Sequence, residues 1–277
     1  MKKKSIALVL SGGGARGLAH VGVLKALHDL QISVSAICGC SMGGLVASLF
    51  ALGMSMEEIE RIARKYSSTR EMVKLVDLRP SRRGYIISRH LRSFLARFID
   101  DKTQFSQTCI PLMMNAVDLV TGQEVVLDQG NLLDAILATT AVPGFFSPVQ
   151  DPARILADGG VVNNLPVSIL KPRTSDPIVA VDVHQTFERP FSSNSLDNPY
   201  PKSVFPQFAR EYYLAELIKI RKMTDLHLAQ NPPDLLLTPD IDPNINLFFG
   251  FNRAAELIEA GEAIVHKNKG KFLQLLT

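Results

Sequence analysis

Two apolar runs, each stopped by a cluster of glycines and each followed by helix-spaced apolar residues, fill the first 52 positions of the chain. Residues 6–10 run into Ser11-Gly12-Gly13-Gly14-Ala15-Arg16-Gly17, after which Val21, Leu24, Leu27 and Leu30 recur at helical spacing. Residues 34–38 run into Gly39-Cys40-Ser41-Met42-Gly43, with a second helix expected over about 43–52. A short β-branched and aliphatic run without alternation reads as a strand buried on both faces. Strand–turn–helix repeated twice predicts an α/β protein with a parallel sheet. Further strands are expected over 112–118 and 124–127, joined at Thr121-Gly122, and over 155–157, 178–183 and 235–238. Helices are expected over 56–66, 88–99, 208–229 and 253–267.

Composition narrows the class. Of 277 residues, 46% are apolar and 21% charged, which excludes a disordered, collagen-like or coiled-coil chain. A net charge of +3 is too small to predict nucleic-acid binding. Three cysteines cannot build a disulfide framework, so a reducing, cytoplasmic setting is expected. The Lys2-Lys3-Lys4 start is followed by only five apolar residues, short of the ~7–15 of a signal peptide. No stretch nears the ~20 apolar residues of a spanning helix. No shift in composition marks a second domain, so 1–277 is expected to form one domain, with a Pro-, Ser- and Asn-rich loop at 187–206.

The first glycine loop has the spacing Gly12-x-Gly14-x-x-Gly17 of a dinucleotide fingerprint. That motif calls for an acid ~20 residues on, at the end of the second strand. The second strand instead ends in Ile37-Cys38-Gly39, and no Gly-Lys-Ser/Thr follows to make a P-loop. What survives is a bare run of backbone N–H groups beside a helix start, suited to a phosphate or to the oxyanion of acyl transfer. A tight turn chosen only for geometry is the plainer alternative.

The second turn is Gly-x-Ser-x-Gly between a strand and a helix, the setting of a nucleophile elbow. Its plainer alternative is a helix N-cap at Ser41. A serine nucleophile needs a base. His20, His28, His90, His227 and His266 fall in expected helices, whereas His184 closes a strand. Asp158 also closes an apolar strand, before Gly159-Gly160, although Asp-Gly is equally a common turn. The residues alone leave Asp158 and His184 level as candidates.

Four elements occur in order: 12–17, 39–43, the run Thr139-Thr140-Ala141-Val142-Pro143-Gly144-Phe145-Phe146-Ser147-Pro148, and Asp158-Gly159-Gly160. Together they resemble the bacterial branch of the patatin-like phospholipase family, over residues 5 to about 185. The remainder, 186–277, resembles it only loosely. The resemblance implies a three-layer α/β/α sandwich with a mostly parallel central sheet. It implies a lipid acyl hydrolase with Ser41 as nucleophile and Asp158 as base. The loop Gly12, Gly13, Gly14 would form the oxyanion hole, with the N–H of Met42 as a further donor. Arg16, Gly17, Gly39, Gly43, Pro143, Gly159 and Gly160 support the motifs, and His184 becomes a structural residue. Ser11 and Thr140 differ from forms common in the family, and neither position belongs to the pair.

No cofactor is expected. Cys38 and Cys40 offer two ligands with no matching pair for a metal, and there is no Asp-rich loop for calcium. The expected partner is a lipid or ester substrate. Two segments are candidates for peripheral membrane contact: the basic stretch 82–99, where Leu91, Phe94, Leu95 and Phe98 share a helical face, and the aromatic loop 187–206. For the first, a helix packed on the core with a solvated basic face is the simpler expectation. A non-catalytic regulatory protein of this fold and a nucleotide-binding module using 12–17 are the competing functions. Head-group and chain-length preference and oligomeric state leave no trace in the sequence.

Overall fold

A computed structural model describes residues 5–66, 89–151, 153–184, 207–245 and 250–277. The strands are β1 (Ser5–Leu10), β2 (Ser33–Gly39), β3 (Leu112–Asp118), β4 (Glu124–Leu127), β5 (Val149–Asp151), β6 (Arg154–Asp158), β7 (Ile178–Val181) and β8 (Leu235–Leu237). The helices are α1 (Ala19–Asp29), α2 (Met42–Ala51), α3 (Met56–Tyr66), α4 (Arg89–Leu95), α5 (Leu132–Thr139), α6 (Val167–Leu170), α7 (Gln207–Gln230), α8 (Ala254–Lys267) and α9 (Lys269–Leu275). The described strands form one sheet in the order β5-β6-β3-β2-β1-β7-β8, with β4 also paired to β3. β3, β2, β1, β7 and β8 are mutually parallel, β4 and β6 run antiparallel to β3, and β5 pairs antiparallel with β6.

The strands of the parallel part are buried on both faces because successive side chains point to opposite sides. Ile6, Leu8 and Leu10 pack into the larger core with α1, α2 and α8. Ala7 and Val9 face a smaller core built by Leu165, Val167, Ile169 and Leu170, against which Leu228 of α7 packs. Helices therefore cover both faces, and the three-layer α/β/α sandwich that the resemblance implies is what forms. α1 and α8 cross with their backbones in contact. A Cβ on Gly22 would lie 1.8 Å from the Ile258 carbonyl oxygen, and one on Gly261 would lie 1.9 Å from that of Ala19.

The register of β3 creates the site. Its first residues, Leu112–Met114, pair with β2, and its last, Ala116–Asp118, pair with β6. β4 covers Met114–Val117. A strand has two edges, so β2 and β6 share one edge of β3 and meet end to end. The carboxyl ends of both strands, Gly39 and Asp158, are thereby brought together.

The expected strands all form. α5, α6, α9 and β5 lie outside the expected elements, and a short 3-10 turn (Gly14–Leu18) precedes α1. In the stretch 82–99, the part described here packs on the core: Leu95 and Ile99 are buried, with Leu91, Phe94 and Phe98 against them. Arg92 pairs with Asp101 and Asp134, and Arg97 lies over the Phe94 ring. The described part of that face therefore packs against the core, as the simpler expectation had it. Residues 82–88 and the loop 187–206 lie outside the described residues. Among the described residues, no helix is long and apolar enough to cross a membrane.

Replacing Gly261 by Val should force α1 and α8 apart and lower stability by about 3 kcal/mol or more. Urea unfolding measures this; an unchanged midpoint would mean the helices do not cross as described.

Candidate active site

β2 leads directly into the turn that carries Ser41. The N–H of Cys40 donates to the Leu10 carbonyl at 3.0 Å, extending the sheet one residue past Gly39. The chain then reverses at Ser41, whose φ of 50° and ψ of −123° lie where non-glycine residues are strained by about 1–3 kcal/mol. The flanking glycines are required by close approach. A Cβ on Gly39 would sit 2.5 Å from the backbone of Gly43, and a Cβ on Gly43 would sit 2.5 Å from the carbonyls of Leu10 and Ser11. α2 starts immediately afterwards. Ser41 occupies its N-cap position, yet its side chain makes no capping bond. The hydroxyl is thus left to another partner, and the N–H of Ser41 donates to Thr139 Oγ1 at 2.9 Å.

That partner is Asp158, which is 5% exposed. Oδ1 of Asp158 accepts from the N–H of Gly160 at 2.8 Å and from the Cys40 thiol at 3.7 Å. Burial pushes its carboxyl up from 3.8 to about 6, while hydrogen bonds from the Ser41 hydroxyl, the Gly160 N–H and the Cys40 thiol hold it down in part. The turn beyond it is fixed by Asn115, whose Nδ2 donates to the Asn163 carbonyl and to Glu124, each at 2.8 Å. Gly159 is needed there because a Cβ would meet Asn115 Oδ1 at 2.4 Å.

The first glycine loop lies against the same serine. A Cβ on Gly12 would be 3.3 Å from Ser41 Cβ and 2.4 Å from Asn164 Oδ1. Gly12 exchanges hydrogen bonds with Asn164: its N–H donates to the Asn164 carbonyl at 3.0 Å, and Asn164 Nδ2 donates to the Gly12 carbonyl at 3.3 Å. The Gly12 N–H is therefore not available to an oxyanion, and Gly12 serves as the close-approach member of the loop. Gly14 has a φ of 53°. Among the described residues, nothing accepts from the N–H groups of Gly13, Gly14 and Met42. Gly17 packs on Met42, with only 2.4 Å from its would-be Cβ to Met42 Cγ.

Arg16 is buried and does not face the pair. Its guanidinium donates to the carbonyls of Val183 at 2.6 Å, Ile245 at 3.0 Å and Asp242 at 3.2 Å, tying the loop to the segment after β8. His20 is buried beneath the loop with Nε2 at 2.8 Å from the Ser11 carbonyl, and burial lowers its pKa to about 4. His184 belongs elsewhere: its N–H donates to Asp182, which pairs with Arg221 at 2.5 Å. Of the two acids and bases left level by the sequence, the structure joins Asp158 to Ser41. Pro143 is exposed in the turn after Ala141. Asn115 carries no signal of its own in the sequence, and Thr139 is marked there only as the first residue of the 139–148 run, with no role attached.

A cavity of about 460 Å³ opens beside Ala36, Leu112 and Arg173, near the starts of β2 and β3 and away from Ser41. Among the described residues no cluster of His, Cys, Asp or Glu is placed to hold a metal ion.

The model for patatin-like phospholipases matches residues 8–171. Among curated proteins, an uncharacterised NTE family protein of Mycobacterium tuberculosis is 28% identical over 186 residues, covering 66% of this chain and 31% of that protein. Patatin-like phospholipase domain-containing protein 6 of Mus musculus is 31% identical over 193 residues, covering 68% of this chain and 14% of that protein. The chain thus spans under a third of either relative's length. Among solved structures, human GIVD cytosolic phospholipase A2 superposes with a TM-score of 0.56 at 11% identity, over 99% of this chain and 60% of that one. VipD from Legionella pneumophila gives 0.51 at 14% identity, over 100% and 67%. At such identity these likenesses concern the fold.

A buried carboxylate with a raised pKa weakens the fold when ionised. Between the unfolded value of 3.8 and the folded value of about 6, the native state holds a proton that the unfolded state has lost. Stability therefore falls as pH rises through that window and stays low above it, by on the order of 3 kcal/mol. Asp158→Asn should raise the melting temperature at pH 8, with the gain shrinking toward pH 4. Equal melting at both pH values would contradict this assignment.

Proposed function

Since the chain belongs to the patatin-like phospholipase family, we propose that it hydrolyses carboxylic esters of lipids, with Ser41 as nucleophile and Asp158 as base. The observation that carries this reading is the pairing of a strained, uncapped Ser41 hydroxyl with a buried carboxylate whose pKa is raised to about 6. Residues 1–277 are read as one hydrolase domain that meets its substrate from the aqueous side.

Asp158 accepts the Ser41 proton as Oγ attacks the ester carbonyl. The N–H groups of Gly13, Gly14 and Met42 receive the negative charge of the tetrahedral intermediate, each such donor contributing about 3–4 kcal/mol. Collapse transfers the proton from Asp158 to the departing alcohol and leaves an acyl group on Ser41. Water then attacks the acyl carbon as Asp158 takes its proton, and collapse releases the fatty acid while Asp158 returns that proton to Ser41 Oγ. The raised pKa makes the carboxylate a stronger base than an exposed one, and it remains ionised above about pH 6. Phospholipids, lysophospholipids and simple esters all present this chemistry.

On a short-chain nitrophenyl ester, Ser41→Ala and Asp158→Ala should each lose about 10³-fold or more in kcat. His184→Ala should stay within about threefold, since it touches neither group. The acid limb of kcat/KM should fall near pH 6. An active Asp158→Ala beside an inactive His184→Ala would reverse the assignment of the base. Failure to hydrolyse any ester or phospholipid would favour a non-catalytic protein of this fold.

A further inference from the structure

Thr139 closes α5 with its side chain fully buried, and both of its γ substituents are engaged at the site. Oγ1 accepts the N–H of Ser41 at 2.9 Å. Cγ2 would stand 3.0 Å from a Cβ on Gly44, in the first turn of α2. Two residues on, the carbonyl of Ala141 accepts the N–H of Asp158 at 3.0 Å. The backbone N–H groups of Ser41 and Asp158, which lie 117 residues apart in the chain, therefore both donate to the short span 139–141.

That span is itself rigidly held. Asn131 caps the start of α5 through the N–H of Asp134 at 2.9 Å, and Leu132, Leu133, Ile136 and Leu137 anchor it in the core. The Thr140 hydroxyl donates back to the Ile136 carbonyl at 2.7 Å. An anchor of this kind is what a strained turn requires, because a serine at φ 50° relaxes unless its surroundings over-determine it.

We propose that Thr139 is a positioning residue: its hydroxyl, by accepting the N–H of Ser41, holds that residue in the strained conformation that presents the nucleophile to Asp158, and the span 139–141 sets the separation of the two. The proposal rests on the reading of Ser41 and Asp158 as nucleophile and base. It differs from a packing role in which atom of Thr139 matters. Positioning needs Oγ1, whereas packing needs Cγ2.

Two substitutions separate these. Thr139→Val keeps the side-chain shape and the methyl against Gly44 but removes the acceptor. Thr139→Ser keeps the acceptor and removes the methyl. Kinetics on a soluble nitrophenyl ester, the rate of fluorophosphonate labelling and melting temperature are measured for both. Thr139→Val should lower kcat and labelling about 10- to 100-fold with KM little changed, because a small misplacement of the nucleophile suffices for that. Thr139→Ser should keep kcat within about threefold even where its melting temperature drops, since the hydrogen bond survives. The reverse order, with activity following melting temperature, would overturn the proposal, as would wild-type kcat in Thr139→Val. If Thr139→Val fails to fold, the serine variant decides alone: near-native kcat supports the proposal, and about tenfold loss or more in folded protein overturns it. Ser41→Ala separates the two layers. If it remains active, the nucleophile reading fails and the proposal with it. If it is inactive while Thr139→Val is fully active, only the role of Thr139 fails.

Discussion

β3 has one edge on which two strands of opposite direction end nose to nose. β2 arrives alongside Met114 and stops at Gly39, and β6 arrives alongside Ala116 and stops at Asp158. Neither strand could continue without running into the other. The chain must leave the sheet at both points within a few ångströms, and it does so through glycine on both sides. Gly39 and Gly43 let the Ser41 turn fold over the end of β1, while Gly159 and Gly160 let the turn after Asp158 pass against Asn115 and Asn164. Everything that makes the site chemically unusual follows from this collision. The serine is strained because the turn is tight, and the carboxylate is desolvated because the strand ends inside the molecule.

Those features oppose stability. A non-glycine residue at positive φ, a helix N-cap without a side-chain bond and a buried ionised carboxyl each weaken the fold. The surroundings offset them with fixed polar contacts: Thr139 on the Ser41 amide, Gly160 and Cys40 on Asp158, and Asn164 on Gly12. Buried apolar packing of α1 against α8, and of α5 against the sheet, supplies the rigidity these contacts need. Local strain beside a polar pair is the usual mark of a site shaped for reaction.

Much of this was legible in the sequence, for definite reasons. The two strand–glycine–helix units announce a parallel sheet because uninterrupted aliphatic runs suit only doubly covered strands. The Gly-x-Ser-x-Gly turn is visible because its geometry admits glycine alone at the flanks. The choice between Asp158 and His184 was not, since it depends on how β6 pairs with β3, a contact between segments some 40 residues apart. The commitment of the Gly12 N–H to Asn164 was hidden for the same reason. α5 is not legible because its apolar residues are nearly continuous, so no face stands out, and its last residue accepts a hydrogen bond from a turn 98 positions earlier. The pattern of the arginine-rich helix leaves its partner open, because an amphipathic face signals burial equally against a core and against lipid.

The relatives extend well beyond the length of this chain, and the family match lies within residues 8–171. The central claim is that an acyl group is carried on Ser41. Mixing the protein with a lipid ester, quenching in acid and mapping the peptides by mass spectrometry would test it directly. The account predicts a transient acyl adduct on the peptide containing Ser41, absent in Ser41→Ala and sharply reduced in Asp158→Asn. Ester hydrolysis that proceeds with an adduct on another residue, or undiminished in Ser41→Ala, would contradict it.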